Sequence, residues 1–133
     1  MALTWKRLTK LMMMKNQGPI YIKSFEFAIS IIKLYKSLTG CNEFVISKQL
    51  LRSGTAIGAN VNEATAAESR NDFKHKMSIA SKEARETLYW LRLLKEGELV
   101  DLKIDHELAD CIELVKILTS IVKTTTKNST QKN

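Results

Sequence analysis

Between Phe73 and Leu94 the chain carries the pattern that most limits its fold. Phe73, Met77, Ala80, Ala84, Thr87, Leu91 and Leu94 recur at alternating steps of four and three. That spacing keeps one stripe on one side of a helix turning every ~3.6 residues. A stripe sustained this far commits the segment to a helix that buries one face against partners. Ser69, with Asp72 three residues on, reads as its capping box, and Gly97 as its end.

The flanking segments repeat the pattern. From Tyr21 to Thr39, one row runs Tyr21, Phe25, Ala28, Ile32 and Tyr35, and a second runs Phe27, Ile31, Leu34 and Leu38. Two adjacent rows make a face wider than a two-stranded seam needs. Gly40 stands where a helix C-terminal glycine belongs. The next helix starts after Asn42 or at Ser47, both suitable caps, runs to about Glu68, and turns Ile46, Leu50, Ile57, Val61 and Ala64 inward. A last helix starts near Lys103 or Asp105, with Leu108, Ile112, Val115, Thr119 and Val122 as its inner row, widened by Cys111, Leu114, Leu118 and Ile121. Asp105, Glu107 and Asp110 suit its N-terminal end, and Lys123 and Lys127 its C-terminal end, as the helix dipole prefers. Four helices of roughly 20–25 residues with short connections predict an all-α, antiparallel up-and-down four-helix bundle. Its bounds are residues 20–127, with a basic tail over 1–19 and a polar tail over 128–133.

Composition supports one helical domain. The chain has 133 residues, five Gly and one Pro, few breakers for so long a chain. Asn16-Gln17-Gly18-Pro19 marks the junction between tail and bundle, and Met14 is an alternative start for the chain. Cys41 and Cys111 are too few for a disulfide framework and read as reduced thiols. The Leu11–Met14 run is too short for a secretory signal, and no stretch reaches the ~18 apolar residues of a membrane span. A cytoplasmic protein with no membrane role is expected. The formal net charge is +7. Lys6, Arg7, Lys10 and Lys15 supply more than half of it from the tail, so the bundle itself is only mildly basic. That balance permits a polyanionic partner without requiring one.

Motifs for chemistry are missing. His75 and His106 lack the second ligand a metal site needs, apart from Asp110 one turn beyond His106. Cys41 has no base near it in sequence, the Glu-x-x-His pattern of di-iron bundles is missing, and no glycine-rich phosphate loop occurs. Neither an enzyme, a cofactor, a metal nor a small-molecule substrate is expected.

Two features remain. Gly54 and Gly58 sit inside the second helix, where each glycine costs about 1 kcal/mol relative to Ala. They belong where a neighbouring helix comes close. Arg52, Ala56, Asn60 and Glu63 share one face of that helix. If the second and third helices form a hairpin turning near Ser69, Arg52 stands level with Glu86, Asn60 with Ser78 and Glu63 with His75, to within about one turn. This polar stripe (Arg52, Asn60, Glu63, Glu86) reads as a register lock or an interface. On the third helix Arg70, Lys74, Lys82, Arg85 and Arg92 are candidate contacts for a nucleic-acid backbone, a solvated helix surface being the plainer reading.

The stretch from Gln49 to Ala64, Gln-Leu-Leu-Arg-Ser-Gly-Thr-Ala-Ile-Gly-Ala-Asn-Val-Asn-Glu-Ala, resembles the signature of the four-helix bundle proteins linked to 23S ribosomal RNA intervening sequences. So does Ile79-Ala80-Ser81-Lys82-Glu83-Ala84-Arg85-Glu86-Thr87, followed by Leu88-Tyr89-Trp90-Leu91. The likeness covers about residues 22–126. It implies a homopentamer with a central channel and a connection to RNA, since members are encoded within ribosomal RNA genes or as free-standing genes. It carries over no catalytic residue. Two functional readings follow: a non-enzymatic oligomer that binds RNA or ribonucleoprotein through basic surface residues, or a protein-interaction scaffold with no nucleic-acid role.

Overall fold

The structure is a computed structural model and describes residues 18–131. The expected tail over residues 1–17 and the last two residues lie outside the described residues. Four helices follow one another: α1 (Pro19–Gly40), α2 (Ile46–Ala64), α3 (Arg70–Glu96) and α4 (Asp105–Gln131). Each packs on its neighbour in sequence and α4 closes onto α1, whereas among the described residues the diagonal pairs α1/α3 and α2/α4 do not pack. Cross-helix partners run in opposite senses. Glu63 meets Lys76 while Arg52 meets Glu86. Lys23 meets Glu113 while Ser37 shares a cleft with Leu102.

The core follows from the stripes. Met77, Ala80, Ala84, Thr87, Leu91 and Leu94 of α3 are buried, and so are Leu50, Ile57, Val61 and Ala64 of α2. In α1 the row Phe27, Ile31, Leu34 and Leu38 faces inward. The other row stays at the surface, with Phe25 38% and Ile32 41% exposed, and Ile29 beside them at 40%. In α4 the expected rows exchange places: Cys111, Leu114 and Leu118 are buried, and Ile112 is 41% exposed. The reason is that α4 packs on both α3 and α1, so the middle of its apolar face points between them, one flank away from the row first read as inner.

The helix ends also differ from expectation. At the start of α2 neither Asn42 nor Ser47 caps. The Glu43 carboxylate accepts hydrogen bonds from the backbone N–H of Val45 (3.1 Å), Ile46 (2.9 Å) and Ser47 (2.6 Å), and Ser47 Oγ donates to Glu43 O at 2.8 Å. Burial pushes the Glu43 carboxyl up, but these N–H donors prevail and hold it below the usual carboxylate range. A carboxylate is also favoured at the positive end of the helix. Gly40 remains inside α1, and Asn42 takes the left-handed conformation that turns the chain (φ 64°). Ser69 caps α3, accepting from Asp72 N at 3.0 Å, while Asp72 reaches back to Glu68 N at 3.4 Å.

Gly54 and Gly58 face α1. A Cβ at Gly54 would stand 2.9 Å from both Cγ atoms of the fully buried Ile31, and one at Gly58 would stand 3.2 Å from Ser24 O. The α1–α2 approach is therefore closer than any side chain at position 54 allows. Gly54→Ala should lower stability: the overpacking cost of about 1–3 kcal/mol exceeds the helix-propensity gain of about 1 kcal/mol. Gly40→Ala, where nothing lies within 4 Å of a new Cβ, should be neutral or mildly stabilising. Thermal unfolding of the two variants checks the contrast.

Candidate nucleic-acid interface

Functional candidates occupy two flanks of α3. On the flank facing α2, Arg52 reaches across to two carboxylates one turn apart. Its Nη2 donates to Glu86 Oε2, and its Nη1 lies 3.3 Å from Glu83 Oε2. Glu86 also accepts from Trp90 Nε1 at 3.3 Å. The Arg52 hydrogen bond is the main cause that holds the Glu86 carboxyl below its usual range. Beneath this pair, Thr87 Oγ1 lies 2.8 Å from Ser53 Oγ, which donates to Gln49 O at 2.9 Å. Both hydroxyls are buried, so α2 and α3 are registered by a polar contact in the core and by ion pairs above it.

The polar stripe is only partly a cross-helix feature. Glu63 meets Lys76 at 2.8 Å, one residue from His75. Asn60 turns back and donates its amide to Ala56 O at 2.9 Å, so it does not bridge to Ser78. Glu83 is the partner that sequence reasoning missed. Its signal was available: residues three apart share a flank of a helix, so whatever faces Glu86 can also reach Glu83.

The five basic candidates on α3 do not form one cluster. Arg70 is the first residue of the helix. Lys74 and Arg85 are eleven residues apart, about three turns, and so stand on one flank. That flank faces α4, because Arg85 Nη2 donates to Thr119 Oγ1 at 3.1 Å. Arg92 lies further along the same side, and there it pairs with Glu96 at 3.3 Å. Lys82 is exposed and rotated outward by about 60° from Arg85.

Beside the flank of Lys74 and Arg85, joined to it by the Arg85–Thr119 hydrogen bond, α4 presents Lys116, Lys123 and Lys127 on its outward face. These line a shallow depression with Val115, Thr119, Ser120 and Thr124. Among the described residues no carboxylate pairs with the three lysines. Elsewhere on the described surface Lys23, Arg52, Lys76, Arg92 and Lys95 are each neutralised by an acid, while Lys33, Lys36, Lys48, Lys82 and Lys103 have no such ion pair. In the sequence Lys123 and Lys127 read only as partners of the helix dipole and Lys116 carries no signal, because their placement depends on how α4 is rotated.

For catalysis the described residues offer little. No group of His, Cys, Asp and Glu among them could hold a metal ion. Cys41 is exposed. Cys111 is buried, its Sγ lying 3.4 Å from Ala84 O, and burial pushes its thiol up to about 12, far from the thiolate form a nucleophile needs. No helix is long and apolar enough to cross a membrane.

Fold and surface together define a four-helix bundle whose charge is sorted by flank. The family model for the 23S rRNA-intervening sequence protein matches residues 17–120, and the chain belongs to that family. It is also similar to a solved structure from Bacteroides thetaiotaomicron VPI-5482, described as a protein of unknown function from the S23 ribosomal protein family. The two are 48% identical over 78% of this chain and 98% of that one, with a TM-score of 0.72. No curated protein matches.

If Arg52 and Glu86 act as a unit, Arg52→Ala and Glu86→Ala should each cost about 0.5–1 kcal/mol. The double variant should cost less than the two losses combined. Denaturant unfolding of the three variants measures that coupling, and strictly additive losses would mean the pair contributes nothing.

Proposed function

We propose that this protein is a non-enzymatic, self-associating helical bundle that binds RNA or a ribonucleoprotein through its basic surface. The observation that carries the reading is the sorting of charge on α3. Asp72, Glu83 and Glu86 are engaged with α2 and the turn before α3, whereas Lys74 and Arg85 share the other flank, where Arg85 meets Thr119 between the unpaired Lys116 and Lys123 of α4. A row of cations with no acid among them is suited to a polyanion. The family to which the chain belongs is described by its link to 23S rRNA, which favours RNA among polyanions.

Self-association is supported by the outer row of α1. Phe25, Ile29 and Ile32 are about two-fifths exposed, and Phe44 and Val45 follow at 54% and 73%. Contiguous apolar surface of this kind calls for a partner, and a homopentamer is the form the resemblance implies. An interaction scaffold with no nucleic-acid role is the alternative, and the same apolar row supports it.

Binding to a structured ribosomal RNA fragment, followed by fluorescence anisotropy across a salt series, tests the reading. The logarithm of affinity should fall linearly with the logarithm of salt, by about 0.9 per phosphate neutralised on a duplex. A flat dependence, or no binding at low salt, contradicts the RNA reading and leaves the scaffold. Light scattering on the same sample should give a multiple of the 15.1 kDa chain mass.

A further inference from the structure

The geometry points to a specific RNA-binding face: the outward surface of α4 that carries Lys116, Lys123 and Lys127, together with the adjoining α3 flank of Lys74 and Arg85, which we infer receives the sugar–phosphate backbone of double-stranded RNA. This inference rests on the RNA reading above and goes further by naming the surface, the residues and the form of the RNA.

Three observations converge on that surface. First, it is free of acid. No Asp or Glu follows Glu113 in the sequence, and the acids of α3 between Arg70 and Leu88 (Asp72, Glu83 and Glu86) contact Glu68 or Arg52 on the other flank. The other end of the same flank is different: there Leu88, Leu108, Ala109 and Ile112 line a groove together with Glu96 and Asp105. The basic character therefore belongs to one end, not to the flank as a whole.

Second, the cations are spread along a line. Lys116, Lys123 and Lys127 span eleven residues of α4, about 16 Å at a rise of ~1.5 Å per residue. Lys74 and Arg85 span the same length of the antiparallel α3. Two such rows track a backbone over several phosphates; one phosphate would need only a compact cluster. Arg85 is held toward α4 by its hydrogen bond to Thr119, which reduces the side-chain entropy lost when it meets an anion.

Third, the α4 depression is lined by hydroxyls and by no aromatic ring. Thr119, Ser120 and Thr124 line it, and Ser78 and Ser81 lie between Lys74 and Arg85 on α3. Tyr89, whose ring sits 5.1 Å from that of Trp90, is exposed, and Trp90 hydrogen-bonds Glu86 on the α2 side. Single strands are held by stacking their bases on aromatic side chains. A surface of ammonium groups and hydroxyls instead suits phosphates and the 2′-hydroxyls of an A-form duplex, contacted across its minor groove without base readout.

The experiment compares two variants of the full chain with equal charge change. Lys116→Gln/Lys123→Gln/Lys127→Gln removes the α4 row, and Lys33→Gln/Lys36→Gln/Lys48→Gln removes three exposed lysines of α1 and α2. Each is titrated with duplex RNA, duplex DNA of the same sequence and single-stranded RNA, with helicity and melting temperature recorded alongside. The α4 variant should bind duplex RNA at least about tenfold more weakly than the parent and lose about 2–3 units of salt slope, while the other variant changes less than about twofold. Equal losses in both variants, or none in the α4 variant, overturn the inference while leaving RNA binding intact. Single-stranded RNA or duplex DNA bound as tightly as duplex RNA also overturns it. A parent chain that binds none of the three refutes the underlying reading instead. If the triple variant melts early, Lys123→Gln alone serves, with an expected loss of about one unit of slope.

Discussion

The rotation of α3 about its own axis is fixed by what it buries against α2, and the surface chemistry of the bundle follows from that rotation. Thr87 meets Ser53 in the core while Met77, Ala80, Ala84, Leu91 and Leu94 pack around it. With those residues inside, Glu83 and Glu86 have to emerge on the α2 flank and Arg85 on the α4 flank. Arg52 then neutralises the first flank. The second is left without acid at the end that holds Lys74 and Arg85, because α4 carries none beyond Glu113. One packing decision therefore separates the charges of a helix whose composition is mixed.

The close approach of α1 to α2 has a different role. Gly54 and Gly58 bring the α2 backbone onto Ile31 and Ser24. Close approach replaces side-chain interdigitation at this contact, and it turns the Phe27 row of α1 inward while the Phe25 row stays outside. A bundle of four helices has no use for the second row. An assembly of several bundles would cover it, on the side of α1 that faces away from the α3/α4 groove, since α1 and α3 are diagonal.

Most of the architecture was legible because it rests on period. The stripe from Met77 to Leu94 and the glycine pair in α2 could be read directly, and antiparallel geometry with equal rise placed Arg52 level with Glu86. Three things were not legible. In α4 both candidate rows are apolar, so sequence could not tell which one the two neighbouring helices would cover; Ile112 came out exposed and Cys111 buried. At the start of α2 the cap is a Glu two residues before the cap position itself, and its side chain is long enough to reach three backbone N–H groups. At the end of α1 the left-handed residue is Asn42, two beyond Gly40, whereas α3 ends at Gly97 as its sequence reads. The basic surface was half visible: Lys74 and Arg85 were two of five candidates on α3, and the α4 lysines could be assigned only once the rotation of α4 was known.

Packing has left one end of the α3/α4 flank positive and acid-free, and the proposal places RNA there. Photo-crosslinking of the native chain to a duplex RNA, with the adducts mapped by mass spectrometry, tests it most directly. The account predicts adducts concentrated within residues 74–85 and 116–127. Adducts concentrated on α1 and α2, or scattered evenly over the surface, would contradict it.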